Sequence, residues 1–189
     1  MRTRDPEAKR RLLLEAATSE FAAYGIAGAR VDRIAQAAGV SAGLVYTYFG
    51  SKDDLFDAVF DEIVARTMND VPITVDDLPE YAGRLFDGYR TYPEIQRIAS
   101  WHRLERSTST GLIAAITASM EHKVEALEQA QEAGIVPTSF AAIDLLTLLL
   151  ALTGVWASAE PELKALTAEH DEARRRAVVV AAVAALLAA

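Results

Sequence analysis

The chain has 189 residues, about half of them apolar, which is enough to bury a core in one or two compact domains. It contains no cysteine and three histidines. Disulfides and thiolate metal sites are thereby excluded, and we expect neither a metal cluster nor any other cofactor. The basic amino terminus lacks the apolar core and cleavage site of a signal peptide, so we expect a cytoplasmic protein.

The formal net charge of −8 is unevenly distributed along the sequence. Residues 1–52 contain eight Lys or Arg against five Asp or Glu, a balance of +3, whereas residues 53–189 contain eleven against twenty-two, a balance of −11. Binding to the phosphates of nucleic acid relies on basic surface. The split therefore indicates an amino-terminal part that meets a polyanion and an acidic remainder that limits nonspecific adhesion to DNA. An uneven but merely solvated charge is the alternative.

Apolar residues recur at helical spacing nearly throughout the chain, without the sustained alternation typical of strands. We therefore predict an all-α fold of about nine helices. Asp5 and Pro6 fit the start of a first helix over about 6–24, which Gly25 ends. An Ala-rich helix over 31–38 stops at Gly39, and Ser41 is placed to cap the next helix, over 42–48.

A fourth helix is predicted to begin at Ser51 and to run to about residue 69. Ser51 is followed three residues later by Asp54, which is the spacing of a capping box. Prolines and glycines then delimit the other predicted helices, at about 78–91, 93–106, 108–133, 138–157 and 171–188.

Residues 31–49 have the pattern of a helix-turn-helix unit, in which two short helices are joined by a tight turn and the second enters the major groove. The stretch IAQAAGVS over 34–41 supplies small residues for close helix packing, a glycine for the turn and Val40 to fill the joint. The core candidates of this unit, without a role toward DNA, are Ile34, Val45 and Phe49.

The stretch VDRIAQAAGVSAGLVYTYFGSKDDLFDAVF resembles the signature of the TetR (tetracycline-repressor) family of transcriptional regulators. The likeness lies in the order Ile-Ala, Ala-Gly-Val-Ser, Gly, Tyr, aromatic-Phe and Ser-Lys, and extends over about residues 10–60. It implies a three-helix DNA-binding domain of the helix-turn-helix type over 1–50 and a helical ligand-binding and dimerisation domain over 51–189. Beyond residue 60 the likeness is limited to helix number and apolar character, and it does not identify the effector.

Carried over by position, the residues that face DNA in the family fall on Ser41, Ala42, Gly43, Tyr46, Thr47, Tyr48 and Lys52. Ser41 and Lys52 would hold phosphates, aided by the positive end of the fourth helix. Gly43 would permit close approach to DNA, while Ala42 and Thr47 could touch base edges or a thymine methyl group. The resemblance therefore implies modest base readout, in part through DNA shape.

Two positions depart from the family pattern. Arg30 and Val31 stand at the start of the second helix, where the family often has threonine. The hydroxyl cap of that helix is therefore lost, and Arg30 can bind a phosphate instead. Tyr48 stands where histidine is common, which would make its phosphate contact uncharged. Arg33 is a further candidate for DNA contact, with a solvated face as the alternative. Burial in the core is the alternative for Tyr46 and Tyr48, which cannot share a helix face.

The helix predicted over 138–157 is apolar almost all round, and residues 177–189 contain only Val, Ala and Leu. Thirteen residues are too few to cross a bilayer, and Asp144 interrupts the earlier stretch, so we expect no membrane insertion. The resemblance implies a homodimer in which helices 138–157 and 171–188 of two subunits form a four-helix interface. Two recognition helices about 34–36 Å apart would then read an inverted repeat of double-stranded operator DNA.

The resemblance also implies regulation by a small molecule, of unknown identity here, that enters the carboxy-terminal domain and changes the separation of the two DNA-binding heads. The candidate pocket residues combine aromatic walls with a few polar groups, namely Phe60, Phe86, Tyr89, Trp101, His102 and Glu105. Core packing is the alternative for the aromatic residues, and a surface hydrogen bond is the alternative for His102 and Glu105.

The favoured function is a dimeric repressor that a ligand releases from a palindromic operator. One alternative is a helical adaptor that keeps the fold without binding DNA, consistent with the weak base-reading set Ala42, Gly43 and Thr47. The other is an enzyme that uses His102 and Glu105, for which the sequence offers no phosphate loop, nucleophile elbow or metal cluster. We expect no enzymatic activity. Activation by the ligand, in place of release, stays open.

Overall fold

The computed structural model describes residues 5–106 and 113–188, and within them the chain forms α-helices and one short 3₁₀ helix, without a β-strand. The all-α prediction is confirmed. The helices are α1 Pro6–Gly28, α2 Val31–Ala37, α3 Ala42–Phe49, α4 Lys52–Asp70, α5 Leu78–Thr91, α6 Pro93–Arg106, α7 Ala114–Glu132, α8 Ala142–Thr153, α9 Val155–Ser158, α10 Pro161–Leu166 and α11 Glu172–Leu187, with the 3₁₀ helix at Val75–Asp77.

Two helix starts follow directly from local sequence. The Asp5 carboxylate accepts a hydrogen bond from the Glu7 N–H at 3.0 Å, in front of a proline at the first helical position. At the start of α4, the Ser51 hydroxyl oxygen accepts from the Asp54 N–H at 3.0 Å and donates to the Asp54 carboxylate at 2.6 Å. The bond from the Asp54 N–H to the Ser51 hydroxyl is half of the predicted capping box; the other half is absent, because the Ser51 N–H donates to the Phe49 carbonyl at 3.0 Å instead of to the Asp54 carboxylate.

Some helix boundaries and one helix cap differ from prediction. Gly25 kinks α1 instead of ending it, because the helix resumes for one more turn to Gly28. The Ser41 side chain makes no cap hydrogen bond at α3, so that predicted cap is wrong. Its hydroxyl is exposed to solvent, and the Ser41 carbonyl accepts a hydrogen bond from the Leu44 N–H instead. Gly154 separates α8 from the single turn of α9, which divides the helix predicted over 138–157.

The described part of the chain contains eleven α-helices, two more than predicted. One arises from the break at Gly154, and the other is α10, which begins at Pro161. The sequence pattern indicates only a helix boundary at Pro161. Proline also suits the first position of a helix, and this is the position that Pro161 occupies in α10. Residues 138–141 precede α8, and residues 108–112 of the helix predicted over 108–133 lie outside the described residues.

The described residues form two compact units. Unit 1 comprises the chain up to Ala65 together with Pro93–Ile116, and unit 2 comprises Arg66–Tyr92 together with the chain from Thr117 onward. These units are defined by packing. The boundary predicted near residue 50 concerns which residues meet DNA, and it stays a prediction.

Unit 1 has a core to which α1, α2, α3, α4 and α6 contribute. The rings of Phe21 and Phe56 meet edge to face at 5.0 Å between centroids, and Ile98 of α6 is fully buried in the same cluster. The predicted core residues Ile34, Val45 and Phe49 are buried there as well. The core therefore fixes α3 from one side and leaves its other side to solvent.

Unit 2 has a separate core, formed by α5, α7, α8 and α11. Its buried residues include Leu78, Tyr81, Leu127, Leu145, Leu149, Val179 and Val183. Arg176 of α11 pairs with Glu80 and Asp87 of α5, with Arg176 Nε donating to Asp87 at 2.8 Å. Among the described residues, no helix combines the length and apolarity needed to cross a membrane.

Candidate nucleic-acid interface

The turn between α2 and α3 is set by Gly39. Its φ of +68° lies in the left-handed region, which favours glycine. The Gly39 N–H donates to the Gln36 carbonyl at 3.1 Å, and the Val40 N–H donates to the Ala35 carbonyl at 2.9 Å. This turn closes α2 and brings α3 to the surface of unit 1, as a helix-turn-helix unit requires.

One face of α3 is open to solvent. Gly43, Tyr46 and Thr47 are exposed and follow helical spacing, so they share that face, and Tyr46 is 51% exposed. The Thr47 hydroxyl donates to the Gly43 carbonyl at 2.9 Å, while its oxygen can still accept a hydrogen bond. Ser41 is exposed just before this helix, and Ala42 is half-buried. The face offers a phenol, a hydroxyl with a methyl group, and a glycine that permits close approach.

Tyr48 differs from Tyr46 in its surroundings. Its ring is half-buried and packs against the core of unit 1, 6.1 Å from the Phe49 ring. Its hydroxyl donates to the Pro6 carbonyl at 3.3 Å, near the start of α1. Tyr48 therefore fixes α3 against α1, while Tyr46 points into solvent.

Lys52 lies at the start of α4 and has partners within the chain. Its Nζ donates to the Ala27 and Ala29 carbonyls at 3.3 and 3.2 Å, at the end of α1. One of its three N–H donors is then left for a phosphate. The first turn of α4 also carries Asp53 and Asp54, whose negative charges oppose the anion-binding tendency of that helix end.

Arg33 is held inside unit 1 by three contacts. Its Nε donates to Glu20 at 2.7 Å, its Nη2 donates to the Gly28 carbonyl at 2.9 Å, and its guanidinium lies 4.3 Å from the centroid of the Tyr24 ring. The hydrogen bond to Glu20 raises the pKa of Arg33 above its ordinary value. Arg33 thus braces α2 against α1.

Glu20 is a residue that the sequence analysis did not single out. It is buried, and its carboxylate accepts hydrogen bonds from Arg33 and, at 2.9 Å, from the Arg30 N–H. The available signal was an acidic residue on the apolar stripe of α1, next to Phe21. The Arg30 side chain, by contrast, is exposed and has no hydrogen bond or ion pair to the described residues.

The six predicted ligand residues are divided between the two units. Phe86 and Tyr89 belong to unit 2, and the other four belong to unit 1. In unit 1 the His102 ring lies 5.1 Å from the Phe60 ring and stacks at 6.3 Å from Phe56. Burial, followed by the positive charge of Arg106, lowers the pKa of His102 below its ordinary value. The composition of the pocket stays a prediction.

Trp101 and Glu105 pack α6 against the kink of α1. The Glu105 carboxylate accepts from the Ala27 N–H at 2.7 Å, and Trp101 Nε1 donates to the Ala22 carbonyl at 3.3 Å. Arg97 Nε donates to the same carbonyl at 2.8 Å. Glu105 and His102 therefore have separate partners, and the described residues contain no group of three acidic or histidine side chains that could hold a metal.

Arg106 attaches the end of α6 to α4. Its guanidinium donates to Asp57 and, at 2.8 Å, to Asp53, and lies 4.8 Å from the centroid of the Phe56 ring. Burial alone would lower the pKa of Arg106, but its hydrogen bonds to the two aspartates raise it above the ordinary value. Within unit 1, α6 is thus bound to both α1 and α4, a role that its sequence did not reveal.

Sequence comparison covers both parts of the chain. Residues 13–59 match the family described as bacterial regulatory proteins, tetR family, and residues 77–184 match the tetracyclin repressor-like C-terminal domain. The HTH-type transcriptional repressor SCO4008 of Streptomyces coelicolor is 38% identical over 167 residues, which cover 87% of this chain and 85% of that protein.

Structural comparison gives similar proteins over nearly the whole length. The putative transcriptional regulator SCO4942 of Streptomyces coelicolor has a TM-score of 0.83 and 35% identity, covering 94% of this chain and 97% of that chain. The regulator FadR of Bacillus subtilis, solved with stearoyl-CoA, has a TM-score of 0.69 at 16% identity over 94% and 97% of the two chains, and shares the fold alone. The matched domains and the long alignment to a repressor show that this chain belongs to the TetR family of bacterial transcriptional regulators.

Proposed function

We propose that this chain is a ligand-responsive repressor that binds an inverted-repeat operator as a homodimer and is released by a small-molecule effector. The observation that carries the proposal is the open face of α3, formed by Gly43, Tyr46 and Thr47 on a helix whose other side is buried. A helix placed in this way can enter the major groove without unfolding the unit that holds it. No enzymatic step is part of the proposal, and such a regulator would act in the cytoplasm, where operator DNA lies.

Phosphate contacts would fix this helix in its groove. Arg30 supplies an exposed cation before α2, and residues 1–52 have a positive balance within a chain of net negative charge. Ser41 and the remaining donor of Lys52 would add further contacts. Base readout would then rest on Tyr46, Thr47 and Ala42, and we expect DNA shape to contribute part of the specificity.

Dimerisation is supported by apolar residues that unit 2 leaves exposed. On α8 these are Ile143 and Leu148, and on α11 they are Val178, Ala181 and Ala185, which follow helical spacing. Apolar faces of this kind are typical of helices that pair across a twofold axis. We therefore place the dimer interface on α8 and α11, with the small alanines of α11 permitting close approach of the two copies.

Regulation would act through α6. This helix belongs to the compact packing of unit 1, where Glu105 contacts α1 and Arg106 contacts α4. A ligand that binds more tightly to one position of α6 would shift the population of that position and with it the placement of α3. The similar protein SCO4008 is named a repressor, which supports release from DNA over activation.

Selection from random duplex DNA tests the proposal, because it needs no assumption about the operator sequence. The purified protein is used to enrich binding sequences, and Kd for the selected site is measured by fluorescence anisotropy at two salt concentrations. We expect an inverted repeat with half-sites about one helical turn apart, bound more weakly at the higher salt concentration.

The Tyr46→Ala variant supplies the structural control. Tyr46 is 51% exposed, so its truncation should preserve the helical circular dichroism spectrum while weakening operator binding. Ile135→Ala removes an equally exposed apolar side chain, also 51%, from unit 2 and should leave Kd unchanged. Enrichment of no palindrome, or equal binding by wild type and Tyr46→Ala, would contradict the proposed interface.

A further inference from the structure

Lys123 lies on the buried face of α7. The buried residues of this helix are Ser119, Lys123, Leu127 and Ala130, which recur at helical spacing and form a single stripe. Leu127 and Ala130 pack in the apolar core of unit 2. Lys123, one turn before Leu127, is only 7% exposed, so its ammonium group is held away from bulk water.

The charge of Lys123 has no counterpart among the described residues. Its Nζ donates to the hydroxyl of Ser119, at 2.5 Å, and to the Ser119 carbonyl at 3.4 Å, both on its own helix. A buried ammonium group normally pairs with a carboxylate, because burial without a partner strongly disfavours the charged form. Burial accordingly lowers the pKa of Lys123.

Acidic residues are absent from the described core of unit 2. Its Asp and Glu residues are all exposed or half-buried, and the two half-buried ones, Glu80 and Asp87, already pair with Arg176. Tyr81 of α5 presents a second buried donor, since its hydroxyl has no hydrogen-bond partner in the described structure. Unit 2 therefore buries a cation on α7 and an unpaired hydroxyl donor on α5, and its buried described residues include no Asp or Glu that could accept from them.

We propose that Lys123 is the anion-recognising residue of the effector site in unit 2, and that the effector is an organic anion with an apolar body and one anionic headgroup. The inference rests on the proposed ligand response and names the chemical class of the ligand. The apolar core would receive the body of the ligand, and the ammonium of Lys123 would donate to its headgroup. A charge-assisted hydrogen bond in such surroundings is stronger than a bond between neutral groups.

Matched ten-carbon probes test this assignment. Decanoate, decanol and decylammonium share an apolar chain and differ in the charge of the headgroup. Their Kd values are measured by isothermal titration calorimetry with the full-length wild-type protein. We expect decanoate to bind about tenfold more tightly than decanol, as one charge-assisted hydrogen bond predicts, and decylammonium to bind more weakly than either.

Three variants test whether the preference for decanoate depends on Lys123. Lys123→Met keeps the length of the side chain without its charge, and should bring the decanoate-to-decanol ratio of Kd values close to one while raising the melting temperature of the ligand-free protein. Lys123→Arg should retain the preference for decanoate. Lys164→Met, which removes an exposed lysine of the same unit, should behave as the wild type.

Two results would overturn the assignment. One is a wild-type protein that binds decanoate no more tightly than decanol, including the case in which neither probe binds. The other is an undiminished preference for decanoate in Lys123→Met. The comparison of decanoate with decanol in the wild-type protein tests the proposal even if a variant does not fold. Operator binding is measured separately, in the absence of any probe. If the wild-type protein binds its operator but shows no preference for decanoate, only the anion site is contradicted. If it binds no operator, the proposed DNA-binding function itself is contradicted.

Discussion

Two cations at the predicted DNA-facing surface already have partners inside the chain. Lys52 bonds the end of α1, and Arg33 pairs with the buried carboxylate of Glu20. A phosphate that recruits either side chain must replace a hydrogen bond that already exists, so the net gain is small. Arg30 has no such partner in the part of the chain that the structure describes, and its side chain is exposed. We therefore expect Arg30 to contribute more to phosphate binding than Arg33.

His102 makes the stability of unit 1 sensitive to mild acid. Burial and the charge of Arg106 lower its pKa in the folded state, so at mildly acidic pH the unfolded chain binds a proton that the folded chain does not. Its contribution to stability is fully present above the unfolded pKa of about 6.5 and is lost as the pH falls through the folded pKa. The free energy of unfolding in urea should therefore be lower at pH 5.5 than at pH 7.5.

Substitution of His102 separates this contribution from that of other groups. His102→Phe keeps an aromatic ring in contact with Phe56 and Phe60 and removes the titrating nitrogen atoms. The decrease in unfolding free energy between pH 7.5 and 5.5 should become smaller in this variant. His122→Phe, on the exposed side of α7, should retain the wild-type decrease. An identical pH dependence in wild type and His102→Phe would show that His102 does not cause it.

The junction of α1 and α6 depends on the absence of a side chain at Gly25. Its φ of +71° is unfavourable for other residues, and an added Cβ atom would lie 2.9 Å from the Trp101 ring and closer still to the Glu105 carboxylate. With ψ at −176°, Gly25 occupies a backbone region that is nearly restricted to glycine, so Gly25→Ala should lower the free energy of unfolding by about 1–3 kcal/mol from the backbone alone, with a further loss from displaced contacts. Urea unfolding followed by circular dichroism measures the difference.

A second glycine provides the matched control for this junction. Gly88 lies within α5, where an added Cβ atom would meet nothing within 4 Å. Gly88→Ala should therefore be neutral or stabilise the protein slightly, because alanine favours the helical backbone. Equal stability of Gly25→Ala and wild type would mean that α6 can shift along α1 without cost, contrary to the close packing described above.

The bounds of the helices could be predicted from sequence more fully than the side-chain contacts between them. Pro79 lies in the first turn of α5 and Pro93 begins α6, and the predicted bounds of these two helices agree with the structure because such signals act within a few residues. The partners of Glu105 and Lys52 are set by distant parts of the chain, which no local pattern encodes. The i, i+3 spacing of His102 and Glu105 suggests a pair, yet Glu105 contacts α1 and the His102 ring contacts two phenylalanine rings.

At the scale of the whole molecule, the proposed dimer predicts a position where charge prevents assembly. Val178 is 47% exposed in the single chain, on the face of α11 that we assign to the interface. Val178→Glu would place two carboxylates near the twofold axis, which costs desolvation and repulsion. Sedimentation velocity should then show a monomer, and affinity for the inverted repeat should fall, because two half-sites are no longer bound together.

The control for the dimer is a glutamate outside the assigned interface. Leu166 of α10 is 81% exposed, and Leu166→Glu should leave both the sedimentation coefficient and operator affinity unchanged. A dimer that persists in Val178→Glu and dissociates in Leu166→Glu would move the interface from α11 to α10.

The charge split predicts how operator binding responds to salt. An acidic protein attracted to DNA through a small basic region should show a salt dependence set by the phosphates that this region contacts, not by its net charge of −8. If Arg30 contacts one phosphate in each subunit, Arg30→Ala removes two contacts from the dimer. The slope of log K against log salt concentration should then become shallower by about 1.8, at roughly 0.9 per contact.

Arg90→Ala provides the comparison, because it removes an exposed cation from unit 2 and changes the net charge by the same amount. Its slope should equal that of the wild type. Equal flattening in both variants would show that overall charge governs binding, whereas an unchanged slope in Arg30→Ala would return the phosphate contact to Lys52 or Arg33. Because both variants carry the same net charge, only the position of the lost cation distinguishes them, and the measurement therefore locates the surface that meets DNA.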